Sequence, residues 1–427
     1  MIDDAAVSPG RCDMVCSVAA RHVPNISMER ASGETPSSEA MLAAACCRWP
    51  HTSDSAAAVS RAMSAAIDWG RFLDVVRQHR IEGLVRAGLV QAAVELPDHV
   101  DQALSGRAAT IAVKNLRLAA EELRLWQAFE KAGVDLLFVK GSTGALLAYG
   151  TLALKTAWDI DLLVSRTDSD RASALLAGLG YERAIPDPGL TPRAFRRWSM
   201  HSKEMLWINS AVDIAVELHL DLFDNRQLLS GVGMGSPRQM VRHGALRLST
   251  LASEELFAYL CVHGTIHLWA RLKWLADVAA FIGSNGLDCD RLHRSSVALG
   301  AGRCGALALL LCNRFFGTHL PERLLAELRT DQALLVLERS TLAAMWRCET
   351  HAEGTESASH MLNMMAALFL MKPGWRYAVA ELRYRLFFPY SPTHLSVWTW
   401  LWPLLTLLQF PRFVLKRMRL GRRRDAP

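Results

Sequence analysis

The sequence predicts an α+β protein in which a small mixed sheet is embedded between an N-terminal and a C-terminal helical region. Apolar residues recur at helical spacing along most of the 427 residues. Short apolar runs separated by turn residues, which are typical of strands, are concentrated in the block 132–225. The composition, 51% apolar and 21% charged, excludes an intrinsically disordered chain.

These patterns divide the chain into five parts. Residues 1–37 contain no Leu, no Lys and no aromatic residue, and we predict a disordered extension there. The other parts are an N-terminal helical region, an α/β core, a C-terminal helical region, and a Trp-rich apolar segment with a basic tail: 38–131, 132–225, 226–390 and 391–427.

The N-terminal region is predicted to be helical from about Met41 onward. Asp68 precedes an apolar-periodic stretch and is placed to cap its first helix. A long amphipathic helix is predicted over about 101–131, and Gly133 follows it at a position that favours glycine.

The α/β block is predicted to alternate strands with short helices. Strands are expected at 134–139, 159–164, 198–208 and 211–222, and helices at 143–149 and 171–179. A tight turn at Asn209-Ser210 joins the last two strands. The chain then returns to helical patterns, at 254–282, 304–316, 320–346 and 361–390.

Acidic side chains mark two of these strands. Asp159 and Asp161 are two residues apart, so a strand places both carboxylates on one face, where a divalent cation such as Mg²⁺ would relieve their repulsion. Glu217 lies in the middle of a later strand, and Asp213, His219 and Asp221 share its face. Asp213 and Asp221 therefore remain alternatives to Glu217 as a third acid.

A phosphate-binding turn is predicted upstream of these acids. Gly141-Ser142, the Gly-Ser turn, follows a strand and precedes a helix, where a glycine allows close approach and free N–H groups favour an anion. The order of turn, acid pair and later acid is that of a site holding a nucleoside triphosphate through Mg²⁺.

The residues that carry this order resemble a known family. VKGSTGALLAYGTLALKTAWDIDLLV, followed by GLGYE and VELHLDL, is similar to the uncharacterised nucleotidyltransferase family of the polymerase-beta-like superfamily. DWGRFLDVVRQHRIEGLV and HGTIHLWARLKWLADVA resemble its flanking helical segments, so the resemblance covers about 41–415. Its members occur in bacterial gene clusters for polysaccharides and modified peptides.

The resemblance implies transfer of NMP from an NTP to a small-molecule or peptide acceptor, with Mg²⁺ or Mn²⁺ as cofactor. It assigns metal binding and catalysis to Asp159, Asp161 and Glu217. It assigns nucleotide binding to the Gly-Ser turn, and Lys140 and Lys155 are either phosphate contacts or ordinary surface charges. The chain departs from the family at Thr143-Gly144-Ala145, which is less polar than usual, and at Lys155, where an Arg is common.

Three histidines are further candidates for the cleft. His263 and His267 share a helix face, and the resemblance suggests that they line the cleft beside Trp269 and Asp277. Core packing and metal ligation are the alternatives. His219 either orients an acid, touches substrate or has a structural role.

Charge and cysteine content bear on partners and location. Residues 412–425 carry seven basic groups and one acid, and the rest of the chain is balanced, so no nucleic-acid partner is expected. The nine cysteines include no C-x-x-C pair, and no signal peptide is apparent. Both observations favour a cytoplasmic location. Three Trp between 395 and 410, followed by the basic tail, suggest peripheral membrane contact, and a packed C-terminal helix is the alternative.

Three functions remain open on these grounds. The first is a metal-dependent nucleotidyltransferase. The second is a catalytically inactive nucleotide- or substrate-binding module of the same fold, suggested by the departures at residues 143–145 and Lys155. The third is a membrane-surface assembly factor for a cell-surface polymer, with the basic tail as its anchor.

Overall fold

The computed structural model describes residues 36–244, 246–347 and 366–387. The predicted α+β class is confirmed, because helices surround one five-stranded mixed sheet. The predictions for residues 1–35 and 391–427, including the Trp-rich segment and the basic tail, lie outside the described residues. Within the described ranges, no helix has the length and hydropathy that crossing a bilayer requires.

Within the described residues, five helices precede the sheet. They are α1 (Ser38–Cys46), α2 (Ser53–Ala62), α3 (Trp69–His79), α4 (Glu82–Gln91) and α5 (Asp98–Lys131). Asp68 caps α3 as predicted, since its carboxylate accepts a hydrogen bond from the backbone N–H of Arg71 at 3.1 Å. Gly133 adopts φ 63° after α5, which confirms the predicted end of that helix.

The central part of the chain alternates strands and helices. It contains β1 (Leu136–Phe138), α6 (Ser142–Tyr149), β2 (Asp159–Val164), α7 (Ser169–Gly178), β3 (Glu182–Ile185), α8 (Pro192–Ser199), β4 (Glu204–Asn209) and β5 (Ile214–His219). The sheet order is β1-β2-β5-β4-β3. Only the β2–β5 pair is parallel, and the other three pairs are antiparallel.

The strand predicted from Trp198 to Ile208 is wrong in its first part. Trp198 belongs to α8, which begins with Thr191 as a side-chain cap and Pro192 at its first position. Phe195 and Trp198 stack on one another at 6.4 Å between ring centroids. These helix-start signals outweigh the strand preference of the aromatic residues, and the strand begins only at Glu204.

The turn between the last two strands is also longer than predicted. Asn209 pairs with Ile214, so four residues, 210–213, form the connection. The strand predicted to begin at residue 211 therefore begins at Ile214.

The C-terminal region begins with a hairpin that was not predicted from the sequence. Its strands are β6 (Arg238–His243) and β7 (Leu246–Leu251). The helices that follow are α9 (Ser253–Ile266), α10 (Leu272–Ser284), α11 (Cys289–Ala298), α12 (Gly302–Phe316), α13 (Glu322–Leu328), α14 (Gln332–Arg347) and α15 (Trp375–Phe387). The stretch 254–282, predicted as one helix or a helix pair, forms the two helices α9 and α10.

The two faces of the sheet pack against different layers. Ile160, Leu162 and Val164 of β2 join a core that includes Leu125 and Phe129 of α5. Leu163, on the opposite face, joins the larger core formed by both helical regions. Because side chains alternate along a strand, Asp159 and Asp161 lie on the face turned toward the helical regions.

Candidate active site

Asp161 and Glu217 lie side by side on neighbouring strands. They are paired in the register of the parallel strands β2 and β5, so their side chains share a face of the sheet. Both are buried, with 3% and 6% of their surface exposed. Two carboxylates in this position need a counter-charge, because burial and mutual repulsion both disfavour their ionised forms.

His219 completes a group that could bind a metal ion. Its Nε2 atom lies 3.0 Å from Asp161 Oδ1 and 3.6 Å from Glu217 Oε2. One ligand atom from each of Asp161, Glu217 and His219 lies within 4.8 Å of the others, and we call these three residues the acid cluster. Among the described residues, no other group of three or more potential metal ligands is this close.

The structure separates Glu217 from the two other acids predicted for its face. Asp213 is exposed in the turn before β5 and has a φ of 56°. Asp221 follows the strand, and its Oδ2 accepts hydrogen bonds from Arg166 Nε at 3.2 Å and Arg226 Nε at 2.8 Å. Of these three acids, only Glu217 lies beside Asp161.

Asp159 lies at the open end of the acid-bearing face. It is half-buried, begins β2 and pairs with Ala215 in the register. Its charge contributes to raising the pKa of Glu217, as does the charge of Asp161. Asp159 therefore acts on the acid cluster, although its oxygens are not among the three closest ligand atoms.

Lys140 neutralises Asp161 directly. Its Nζ atom lies 2.7 Å from Asp161 Oδ1, at the end of β1 and immediately before the Gly-Ser turn. Burial lowers the pKa of Lys140, but Asp161, Glu217 and Asp159 outweigh it and hold the pKa well above its usual range. The pKa of Asp161 is held well below its usual range, because Lys140 and His219 outweigh the effect of burial.

Glu204 was not predicted as a site residue. It pairs with His219 in the register of β4 and β5, and its Oε2 lies 3.2 Å from His219 Nδ1 and in an ion pair with Lys203. Burial lowers the pKa of His219, but Glu204, Asp161 and Glu217 together raise it to about 9. In the sequence, the only sign of the role of Glu204 is its position directly before the apolar run MLWI.

Glu217 is held partly protonated at neutral pH. Burial raises the pKa of its carboxyl to about 7, and repulsion from Glu204 adds to this effect. The hydrogen bond with His219 acts in the opposite direction. A carboxyl with this pKa exchanges protons readily near neutral pH.

The Gly-Ser turn has the conformation that its sequence predicts. Gly141 has φ 72° and ψ −129°, a region that residues with a Cβ rarely adopt, and α6 begins at Ser142. A Cβ at residue 141 would lie 3.1 Å from Glu122 Oε1 and 4.0 Å from the carbonyl oxygen of Asp159. The turn therefore lies against the start of β2, close to Asp159.

Glu122 lies beneath this turn and was not predicted. It is 1% exposed, and its Oε1 accepts from the backbone N–H of Ser142 at 3.5 Å. Burial raises its pKa to about 7. Its position in the polar stretch AAEELR gave no sign of burial, so only the fold reveals it.

Lys155 lies over the first turn of α6. Its Nζ is 3.0 Å from Asp277 Oδ2, and Asp277 Oδ1 accepts a hydrogen bond from the Tyr149 hydroxyl at 2.9 Å. A Cβ at Gly144 would lie 3.2 Å from Lys155 Nζ. Gly144, the smallest residue in Thr143-Gly144-Ala145, therefore leaves room for the Lys155 ammonium.

His263 on α9 and His267, the residue directly after that helix, have ring centroids 4.8 Å apart, and both contact Trp274. Burial, Lys140 and His267 lower the pKa of His263 well below its usual range, so it is neutral and close to the site. The predicted position of Trp269 beside the cleft differs from the structure, because its side chain is fully buried against Gly264 and does not line a cleft.

Comparison with protein families gives a match over the middle of the chain. A family model described as an uncharacterised nucleotidyltransferase matches residues 65–317, which is more than half of the chain. The match is narrower than the resemblance over 41–415, but it contains the Gly-Ser turn and the acid cluster. No curated protein and no solved structure matches the chain.

Proposed function

The chain belongs to the uncharacterised nucleotidyltransferase family, and from this premise we propose that it transfers NMP from an NTP to a small-molecule or peptide acceptor. The observation that carries the proposal is the acid cluster, whose ligand atoms lie within 4.8 Å of one another beside the Gly-Ser turn. We place the reaction in a bacterial biosynthetic pathway for a polysaccharide or a modified peptide, as the resemblance implies.

The donor set fits a divalent cation. Carboxylate oxygens suit Mg²⁺, and an imidazole nitrogen among them also suits Mn²⁺. We assign the binding of this cation to Asp159, Asp161 and Glu217, with His219 as a further ligand or as the group that orients Asp161. When bound, such a cation stabilises negative charge on the attacking and leaving oxygens.

The protein's own groups position the triphosphate and the acceptor. Backbone N–H groups at the start of α6 bind phosphate oxygens, and Lys140 and Lys155 supply positive charge beside them. The acceptor oxygen forms a bond to the α-phosphorus while the bond from that phosphorus to the pyrophosphate oxygen breaks. The acceptor's proton passes to Glu217 or to water, and pyrophosphate leaves.

One observation favours the alternative of an inactive binding module. Asp161 Oδ1 is already contacted by Lys140 Nζ at 2.7 Å and by His219 Nε2 at 3.0 Å. The protein therefore balances the charge of its own acid without a metal ion. A module that binds nucleotide and does not turn it over would keep this arrangement.

The position of a radioactive label in the products separates these functions. We expect that, with Mg²⁺ or Mn²⁺ and a pool of small-molecule and peptide acceptors, label from the α-phosphate of one NTP enters an acceptor. Label from the γ-phosphate of the same NTP should appear in pyrophosphate. Transfer of the γ-label to an acceptor would contradict nucleotidyl transfer, and nucleotide binding without release of either label would favour the inactive module.

The remaining parts of the proposal concern location and partners. We propose that the enzyme has no nucleic-acid partner, because the chain apart from residues 412–425 carries balanced charge. We also propose a cytoplasmic location, because the cysteines are scattered and include no C-x-x-C pair. Peripheral membrane contact through residues 391–427 stays a prediction.

A further inference from the structure

Helix α15 is held against the protein by one of its faces. The Tyr377 hydroxyl donates to the carbonyl oxygen of Leu368 at 2.7 Å, and both residues are buried. Asn225 Nδ2, in the segment after β5, donates to Glu381 Oε2 at 2.8 Å. Tyr377 and Glu381 are four positions apart and therefore lie on the same side of the helix. These contacts determine which face of α15 is turned toward the protein and which is turned away.

The opposite face of α15 is apolar and exposed. Trp375, Val379 and Leu382 follow one another at intervals of four and three residues, which is the spacing of one helix face, and we call these three residues the outer face. They are 72%, 51% and 49% exposed. Among the described residues, no other large apolar side chain is as exposed as Trp375. Neighbouring exposed apolar residues of this kind are typical of a surface that contacts a partner.

The exposed charges next to the outer face are positive. Arg376 and Arg383 are exposed, and the Arg376 guanidinium lies 5.7 Å from the centre of the Trp375 ring. The stretch 372–387 contains four basic residues and one acid. That acid, Glu381, is buried on the side of the helix that faces the protein. An apolar face bordered by cations matches the surface of a bilayer that contains anionic lipids.

The sequence that follows α15 has the same combination of residue types. Residues 395–410 carry no charge and include Trp398, Trp400 and Trp402. Residues 412–425 carry seven basic groups and one acid. Tryptophan is enriched at the level of the lipid headgroups, and basic residues are attracted to anionic lipids. The outer face and the sequence after α15 therefore favour the same partner.

We propose that the outer face of α15 binds the surface of an anionic lipid bilayer. Its three apolar side chains enter the boundary between headgroups and acyl chains, and Arg376 and Arg383 contact lipid phosphates. The proposal adds a folded surface to the membrane contact predicted for residues 391–427. It does not rest on nucleotidyl transfer, because binding to lipid requires no turnover.

The test measures binding of the full chain to lipid vesicles by sedimentation. Vesicles of phosphatidylcholine, which is neutral, are compared with vesicles of phosphatidylcholine mixed with phosphatidylglycerol, which is anionic. The apolar variant is Trp375→Ala/Leu382→Ala, and the charge variant is Arg376→Gln/Arg383→Gln. All four positions are exposed, so both variants are expected to fold.

The double variant Val113→Ala/Leu116→Ala is the matched control. Both residues are exposed apolar side chains on α5, three positions apart, so the control removes apolar surface from another part of the molecule. Urea unfolding without vesicles is measured for every variant. It shows whether a change in vesicle binding follows from a change in stability.

We expect the natural protein to bind anionic vesicles more tightly than neutral ones. The apolar variant should bind anionic vesicles roughly tenfold more weakly, because two side chains no longer enter the interface. The charge variant should also bind roughly tenfold more weakly at low salt, and the difference should shrink at high salt. The control should bind as the natural protein does. Equal binding of all folded variants to anionic vesicles would overturn the proposal and assign the binding to another part of the chain.

Two other occupants of the outer face are distinguished by the same measurements. If residues 395–410 of the same chain cover it, the apolar variant should have a lower urea midpoint and unchanged vesicle binding. If a second copy covers it, sedimentation without lipid should show a dimer that the apolar variant dissociates. Either result would overturn the proposal. We expect a monomer without lipid, and a urea midpoint that the apolar variant does not lower.

Discussion

Glu122 is the side chain on which the Gly-Ser turn depends most directly. Its carboxyl is buried beneath the turn, one oxygen faces the backbone N–H of Ser142, and the other has no hydrogen-bond partner. Burial raises its pKa to about 7, and the nearby charge of Asp161 acts in the same direction. The folded protein therefore binds a proton at this position that the unfolded chain releases above about pH 4.5.

Replacement of Glu122 by Gln should reduce the pH dependence of stability. Because the pKa is raised in the folded state, the stabilisation that comes with the proton is present at low pH and is lost as the pH rises toward 7 and above. Urea unfolding at pH 5 and pH 8 measures the free energy of unfolding at each pH. Between these two values, the free energy of unfolding of the natural protein should fall by about 3 kcal/mol more than that of Glu122→Gln.

The exposed acid Glu130, near the end of the same helix, provides the control. Glu130→Gln should show the same pH dependence as the natural protein. If the stability of Glu122→Gln depends on pH as strongly as that of the natural protein, the carboxyl of Glu122 does not have a raised pKa in the folded state.

Residues that follow a local rule could be predicted from the sequence, and those brought in by the fold could not. Asp161 was predicted because its spacing of two from Asp159 places both carboxylates on one face of a strand, and Glu217 was predicted from its position in the middle of a later strand and from the resemblance. Glu122 and Glu204 were not predicted because the sequence around each of them contains no pattern that indicates a site. Their roles come from contacts with Ser142 and His219, 20 and 15 positions away.

Among the elements around the site, Asp277 connects α10 to α6 and to the segment 150–158, which leads into β2. Its two oxygens contact the hydroxyl of Tyr149 on α6 and the ammonium of Lys155 on the segment. Asp277 is 5% exposed, so this pair of contacts lies away from water. Removal of the carboxylate would leave a cation and a hydroxyl without their partner.

Asp277→Ala should therefore lower the free energy of unfolding by about 3–5 kcal/mol. Asp277→Asn keeps an acceptor for Tyr149 and should cost less. Asp170→Ala, a matched change at an exposed position in the first turn of α7, should cost less than about 1 kcal/mol. Chemical denaturation of the three variants provides the values, and similar stabilities for Asp277→Ala and Asp170→Ala would contradict the coupling.

Elements with strong local signals were predicted well. The bounds of β2 match the prediction, because DIDLLV is a short run bounded by less regular sequence. The strand β3 has four residues at the sheet edge and is nowhere fully buried, so it has no clear apolar pattern. The hairpin β6–β7 was not predicted because basic residues stand among its apolar ones and obscure the strand pattern. Its pairing becomes visible only when both strands are seen together.

At the scale of the whole molecule, both helical regions contribute to one large hydrophobic core. Leu42 and Phe72 come from the N-terminal region, and Phe257 and Leu307 from the C-terminal region. The acid-bearing face of the sheet is turned toward this body, and Tyr259 and His263 of α9 lie close to the acids and to Lys140. The helical regions therefore surround the candidate site, as the sequence order of helices, sheet and helices predicts.

We propose that Asp161 and its neighbours catalyse nucleotidyl transfer. The most direct test is the rate of pyrophosphate release from the accepted NTP, measured for the natural protein, Asp161→Asn and Asp213→Asn. Asp213 undergoes the same chemical change in the exposed turn before β5, so it controls for the substitution itself. We expect Asp161→Asn to lower the rate by at least about 100-fold and Asp213→Asn to leave it unchanged. Equal rates of release in Asp161→Asn and the natural protein would contradict the assignment of the active site.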